Sequence, residues 1–361
     1  MASTEPRVPG KRTIKPHEKK SSPAFRALGI GAAALLVAGA VGTLFLEPPR
    51  DRAAHEETTT VPAQTLRLGY FANVTHAPAL IANERGLLER ALEADGTDLV
   101  TEVFNAGPAA IEALNSGALD ATYIGPNPSI TSYLSSEGQS LRIVAGVTYG
   151  GASLVVSEDI TSIEDLVGSN LATPQFGGTQ DVALRHFLKD RGMEAEVTVT
   201  PSSNGTVPQL FARGAIDGAW SPEPYASQLV LEYGAHRLID EADLWPEGKF
   251  PTTVLAVSRS FLQEHPQTVQ RLVDANAQAI AWLNTTSDDE QVAGVQAGMH
   301  QANGTSLDED VLRAALGQVY FDPVPLTSTF DELVTHAVDV GIGSPGDVSG
   351  LVDSTWVKEQ R

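Results

Sequence analysis

The chain has 361 residues, of which 42% are hydrophobic and 19% charged, and no cysteine. That composition describes a globular protein and excludes a disulfide scaffold, a thiolate metal site, a cysteine nucleophile and a cysteine-linked lipid anchor. The net charge of −21 is unevenly placed, because residues 1–65 hold 9 Lys/Arg against 6 Asp/Glu and leave 15 against 39 in the remainder, so no nucleic-acid partner is expected.

Residues 1–26 are polar and basic, with Arg7, Lys11, Arg12, Lys15, Lys19, Lys20 and Arg26 among prolines and serines. The stretch 27–46, ALGIGAAALLVAGAVGTLFL, carries no charge. At ~1.5 Å per residue it spans roughly 30 Å, enough to cross a bilayer core. Positive charge before it and Glu47, Asp51, Glu56 and Glu57 after it orient the N-terminus to the cytoplasm and the rest outside. Cleavage after Ala38-Gly39-Ala40 would leave an apolar stub from Val41 to Leu46, so the expected form is an uncleaved signal anchor, with a secreted protein as the alternative. Residues 47–64, rich in Pro, Thr, Glu and Ala, read as a flexible linker.

Folded sequence starts at Thr65. TLRLGYF alternates as a strand should, and a helix is expected from Ala77 through Leu92. A second strand over Leu99–Phe104 opens at Gly107-Pro108 into a helix, with proline in the first turn where it is tolerated. LDATYIG is a third strand, followed by a helix from Ser129. LRIVAGVTYGG and ASLVVSE read as two more strands, and Ile163–Leu166 as a short helix. From Leu171 to Lys189, LATPQFGGTQDVALRHFLK is strand, glycine turn and helix. Such an order aims unpaired amides and the positive end of a helix dipole at one point, a ready site for an oxyanion. The strands AEVTVTPSS and Ile216–Trp220 follow, with helices over Gly205–Ala212 and Pro224–Tyr233, then the strand TTVLAVS and five helices to Val340. The pattern predicts two α/β lobes, 65–153 with 252–361 and 154–251, the chain crossing near 150–157 and returning near 247–258.

Four blocks, YFANVTHAPALIANERGLL, FNAGPAAIEALNSGALDATYIGPNPSI, ATPQFGGTQDVALR and LFARGAIDGAWSPEPYASQLV, run in order through residues 65–285 and resemble the substrate-binding proteins of ABC importers in the sulfonate, nitrate and taurine group. The resemblance implies a type II periplasmic binding protein, a two-lobed α/β clamp on crossing strands that closes over a small ligand and docks on a permease with its ATPase. It implies no cofactor. Many relatives in Gram-positive bacteria resemble lipoproteins anchored through a cysteine; this chain has none, and segment 27–46 would replace that anchor.

In an open α/β sheet ligands bind beyond the carboxyl ends of strands. The loops there offer Asn73, Thr75 and His76, then Asn105 and Gly107, then Pro126, Asn127 and Ser129 from the first lobe. The second lobe offers Gly178, Thr179 and Gln180, with Trp220, Ser221 and Glu223 from the SPEPY turn. Gly205 and Thr206 are further candidate donors, while Asp181 reads as an acid favoured by the helix dipole alone. Glu223 discriminates between ligands. Facing the cleft, it would favour an amine-bearing zwitterion such as taurine; paired with an arginine or turned to solvent, it leaves a simple oxyanion. No GxSxG, HExxH or GxxxxGK[ST] motif occurs, so the expected protein is not an enzyme. It is a solute-binding component for a small sulfonate or related oxyanion; nitrate, a thiamine-precursor-like nitrogen compound and a membrane-anchored sensor are the alternatives.

Overall fold

The computed structural model describes residues 61–357. The expected basic tail, the expected signal anchor and most of the expected linker fall outside the described residues. Among the described residues no helix is long and apolar enough to cross a membrane.

The first three strands, β1 (Thr65–Phe71), β2 (Asp98–Phe104) and β3 (Ala121–Ile124), each hand over to a helix at their carboxyl end. A 3-10 turn over Val74–His76 leads into α1 (Ala77–Glu84), and α2 (Leu87–Glu93) follows. The single helix expected over 77–92 is broken because Gly86 sits at φ 62°, a left-handed conformation that ends a helix. After β2 comes α3 (Gly107–Asn115), and after β3 comes α4 (Pro126–Ser135). The next two strands are β4 (Leu141–Gly150) and β5 (Ala152–Val156).

The second lobe continues with β6 (Asn170–Thr173), α5 (Thr179–Asp190), β7 (Thr198–Pro201), α6 (Val207–Ala212), β8 (Gly218–Pro222), α7 (Tyr225–Tyr233) and β9 (His236–Asp240). The chain then returns through β10 (Pro251–Ser258) to α8 (Arg259–Glu264), α9 (Pro266–Thr285), α10 (Asp288–Asn303), α11 (Glu309–Leu316), β11 (Val319–Phe321) and α12 (Phe330–Asp339). Ile163–Leu166 forms only a 3-10 turn at Glu164–Leu166, and the short strand β11 carried no periodicity to announce it.

These strands make two mixed sheets, ordered β11-β4-β10-β3-β1-β2 and β7-β6-β8-β5-β9. In each sheet the strands followed by the cleft helices run parallel: β1 with β2 and β3, and β6 with β7 and β8. Parallel strands put their carboxyl ends, and hence their loops, on one edge of the sheet. Apolar side chains cover both faces of each sheet. On the first sheet, α9 buries Val269, Leu272, Val273, Ile280 and Leu283, a three-and-four spacing that keeps one helical stripe on the core.

The first sheet ends at Gly150 and the second begins at Ala152. Gly150 and Gly151 both have positive φ, 73° and 72°, which turns the chain sharply between sheets. The return, through 3-10 turns at Glu241–Leu244 and Pro246–Gly248, runs beside this crossing. The amide of Gly150 donates to the Phe250 carbonyl at 3.1 Å, and the Thr252 hydroxyl donates to the Gly150 carbonyl.

Candidate binding cleft

The carboxyl edges of the two sheets border one cleft. Its walls carry Phe71, Asn73, Thr75 and His76 after β1, Asn105, Ala106 and Gly107 after β2, Gly125 and Pro128 after β3, and Thr252 from β10. Opposite stand Pro174, Gln175, Gly178, Thr179 and Gln180 after β6, Asn204 after β7, and Pro222 at the end of β8. No Lys, Arg, Asp or Glu belongs to this set.

Four helices begin at these loops, and α1, α3, α4 and α5 all lack a side-chain cap. The first-turn amides of a helix have no intrahelical acceptor, and uncapped they remain donors; α1 is the exception, because it continues the 3-10 turn and the Ala77 amide already donates to the Val74 carbonyl, so the free amides belong to α3, α4 and α5. Proline stands in the first turn of α1, α3 and α4, where losing an N–H costs no helical bond. Glycine allows these ends to come close: a Cβ on Gly107 would lie 2.5 Å from Pro128 Cγ, and one on Gly125 would lie 2.5 Å from Thr179 Oγ1. The second contact joins the lobes, so Gly125 is where the first lobe meets α5 of the second.

His76 is 2% exposed and stacks on Phe71 at 4.2 Å. Its Nδ1 accepts from the Phe71 amide at 3.2 Å, which leaves the ring proton on Nε2. Burial drives its pKa down to about 3, so the imidazole is a neutral donor. Thr179, 5% exposed, has a buried hydroxyl without a partner, and so has the side-chain oxygen of Asn204. The carboxylate of Asp181 lies outside the walls. It is held by the Thr173 hydroxyl, the Gly177 amide and Arg185, and it braces the glycine turn.

Asn73, Thr75, His76, Asn105, Gly107, Gly178, Thr179 and Gln180 thus come together, whereas six of the residues expected from the sequence do not line the cleft. Along α4 the helical rotation presents Pro128, and turns Pro126, Asn127 and Ser129 into the protein; Asn127 is 1% exposed and the Ser129 hydroxyl returns to the Gly125 carbonyl. Trp220 points to the core of the second lobe, against Phe187, and its indole N–H donates to Glu241 at 2.6 Å. Ser221 is buried opposite Ser153 in the ladder with β5. Glu223 is fully buried and turns back on its own lobe, where Arg237 meets it at 2.6 Å and the Ser227 amide at 3.1 Å. Burial raises its pKa, against the pull of Arg237 and Ser227.

Gly125 and Pro128 stand in the block GPNPS among Pro126, Asn127 and Ser129, and Asn204 immediately precedes Gly205 and Thr206. Gly205 borders a smaller recess beside the cleft, and Thr206 hydrogen-bonds Ser203. Thr252 has no local signal, because a strand returning from the other lobe brings it in.

The NMT1-like family model matches residues 59–297. A putative binding protein of Brucella abortus is 29% identical over 295 residues, 80% of this chain and 84% of that protein. A putative aliphatic sulfonates-binding protein of Bacillus subtilis is 26% identical over 307 residues, 81% of this chain and 87% of that protein. Among solved structures, the alkanesulfonate-binding protein of Xanthomonas axonopodis pv. citri bound to MOPS superposes with a TM-score of 0.68 at 22% identity, covering 82% of this chain and all of that one. The sheets and their crossings are accordingly those of a periplasmic binding protein fold, and the chain belongs to the NMT1-like family.

Proposed function

We propose that this protein is the extracytoplasmic solute-binding component of an ABC importer, and that its cleft captures a small aliphatic sulfonate between the lobes for delivery to the permease and its ATPase. The observation that carries this is the meeting of three uncapped helix N-termini, those of α3, α4 and α5, around a cleft with no charged side chain. Oriented amides and the positive ends of helices hold an oxyanion without a counter-charge. The names of the Bacillus and Xanthomonas relatives support sulfonate as the head group. Because Glu223 is spent on Arg237, no carboxylate answers an amine, and the zwitterion reading of the ligand gives way to a simple sulfonate. Segment 27–46 is proposed as the membrane anchor that holds the binding protein near its permease.

Calorimetric titration of the full-length chain in detergent with methanesulfonate and nitrate tests this reading. The expected result is saturable methanesulfonate binding in the micromolar range, with nitrate weaker because a smaller planar ion reaches fewer of the converging amides. Absence of methanesulfonate binding at millimolar concentration overturns the proposal.

A further inference from the structure

A recess adjoins the cleft and shares Phe71, Asn73, Asn105 and Asn204 with it. Like the cleft, it has no charged side chain in its walls. Three of its carboxamides are turned the same way round. Asn73 is 4% exposed, and its Oδ1 accepts from the Thr75 hydroxyl at 3.0 Å. The Oδ1 of Asn303 accepts from the Thr305 amide at 3.0 Å. In Asn204, 7% exposed, Oδ1 is shut into the protein and Nδ2 is the accessible atom. What each group has left to offer is therefore its N–H2, and none of the three nitrogens has an acceptor among the described residues. Asn73 and Asn303 belong to the first lobe and Asn204 to the second, so donors stand on both sides of this space.

We infer that the ligand carries, beside its sulfonate head, a carbonyl oxygen that enters this recess and accepts from the carboxamides of both lobes. The inference rests on the oxyanion reading of the main cleft and adds the chemistry of the tail. Closing the lobes strips water from these N–H groups, and a donor left dry without an acceptor is unfavourable. A carbonyl oxygen has two lone pairs and no proton to place, so it can answer one donor from each lobe. A methylene answers none. An ammonium adds donors to donors, with no carboxylate to offset its desolvation, since Glu223 is closed off by Arg237. A carboxylate would bring a second negative charge between walls that hold no cation.

Calorimetry on the full-length chain with propane-1-sulfonate, 2-oxopropane-1-sulfonate and 2-aminopropane-1-sulfonate changes one group on one skeleton. The oxo compound is expected to bind about tenfold tighter than the plain one, the scale of one buried hydrogen bond, and the amine most weakly. Asn204→Asp replaces the donor by an acceptor of the same shape. In that variant the oxo compound should lose its advantage over the plain one, and the amine should gain about tenfold. A uniform loss across the three compounds would mark Asn204 as merely structural and overturn the inference. Equal affinities for oxo and plain compounds in the wild type, or tightest binding of the amine, overturn it too while leaving the oxyanion reading intact. Failure of all three to bind overturns both. Should Asn204→Asp not fold, the wild-type series decides alone.

Discussion

Glu223 shows how a single residue changes role once its neighbours are known. In the sequence it stands in the SPEPY turn, where it can face a ligand, turn to solvent or pair with an arginine; in the structure Arg237, from the strand fourteen residues later, reaches it. Nothing local marks that partner, because it lies across the packing of α7 and β9 on β5. Glu223→Gln should therefore cost stability, by about 2–4 kcal/mol for a broken buried pair, and leave methanesulfonate affinity within twofold; denaturant unfolding and calorimetry measure the two. The buried ionisable groups also set a pH dependence. His76 is held down to about 3 and His336 to about 4, both chiefly by burial, so below pH 6.5 the unfolded chain takes up protons the folded one refuses, and stability falls with acidity. Glu241 is raised to about 7 by burial, so its contribution has the opposite sign and is lost as pH rises from about 4.5 through 7. Between pH 4.5 and 6.5 Glu241→Gln should steepen the loss of stability on acidification by about 1.4 kcal/mol per pH unit, measured by urea unfolding at a series of pH values.

Among the elements, the helix starts carry the site. Those of α3, α4 and α5 were readable because a glycine or proline closely follows the strand, and turn chemistry of that kind is local. What could not be read was the rotation of each helix about its axis, which chose Pro128 over Asn127 in α4, and the direction of the side chains at the end of β8, which sent Trp220 inward. Strand β10 was read as an element, but its central place between β4 and β3, and therefore Thr252 in the cleft, is a long-range result. The use of α5 as an anion holder can be tested at its N-cap. Gly178 has φ −74°, which any residue adopts, so Gly178→Asp supplies the cap that the helix lacks. A capping acid in place of glycine gains only about 0.3 kcal/mol, and the new Cβ approaches the Gln175 carbonyl to 3.1 Å, so stability should stay within about 0.5 kcal/mol of the wild type, while methanesulfonate affinity falls at least a hundredfold as the new carboxylate occupies and repels the ligand position. Thermal unfolding and titration of the same preparation give both outcomes.

At the scale of the molecule, the lobes touch at more than the cleft. His186 of α5 stacks on His336 of α12 at 3.7 Å, and Lys189 donates to the Asp339 carbonyl, although α12 packs on the first sheet. The two-lobed plan was apparent from the order of elements and from four sequence blocks, since alternating strands and helices leave few arrangements. This outer contact was not, because it joins residues 150 positions apart with no motif between them. The charge-free cleft has a kinetic corollary. The chain carries a net charge of −21, and an anion must cross that field to reach a pocket whose attraction is dipolar and short in range. Added salt screens the repulsion on approach and hardly touches the bound state. Association of methanesulfonate should thus speed up between 10 and 200 mM salt, by about two- to fivefold on the scale of such screening, with dissociation unchanged in stopped-flow traces. A solute held this way is captured better in brine than in fresh water, the reverse of a site built on arginines.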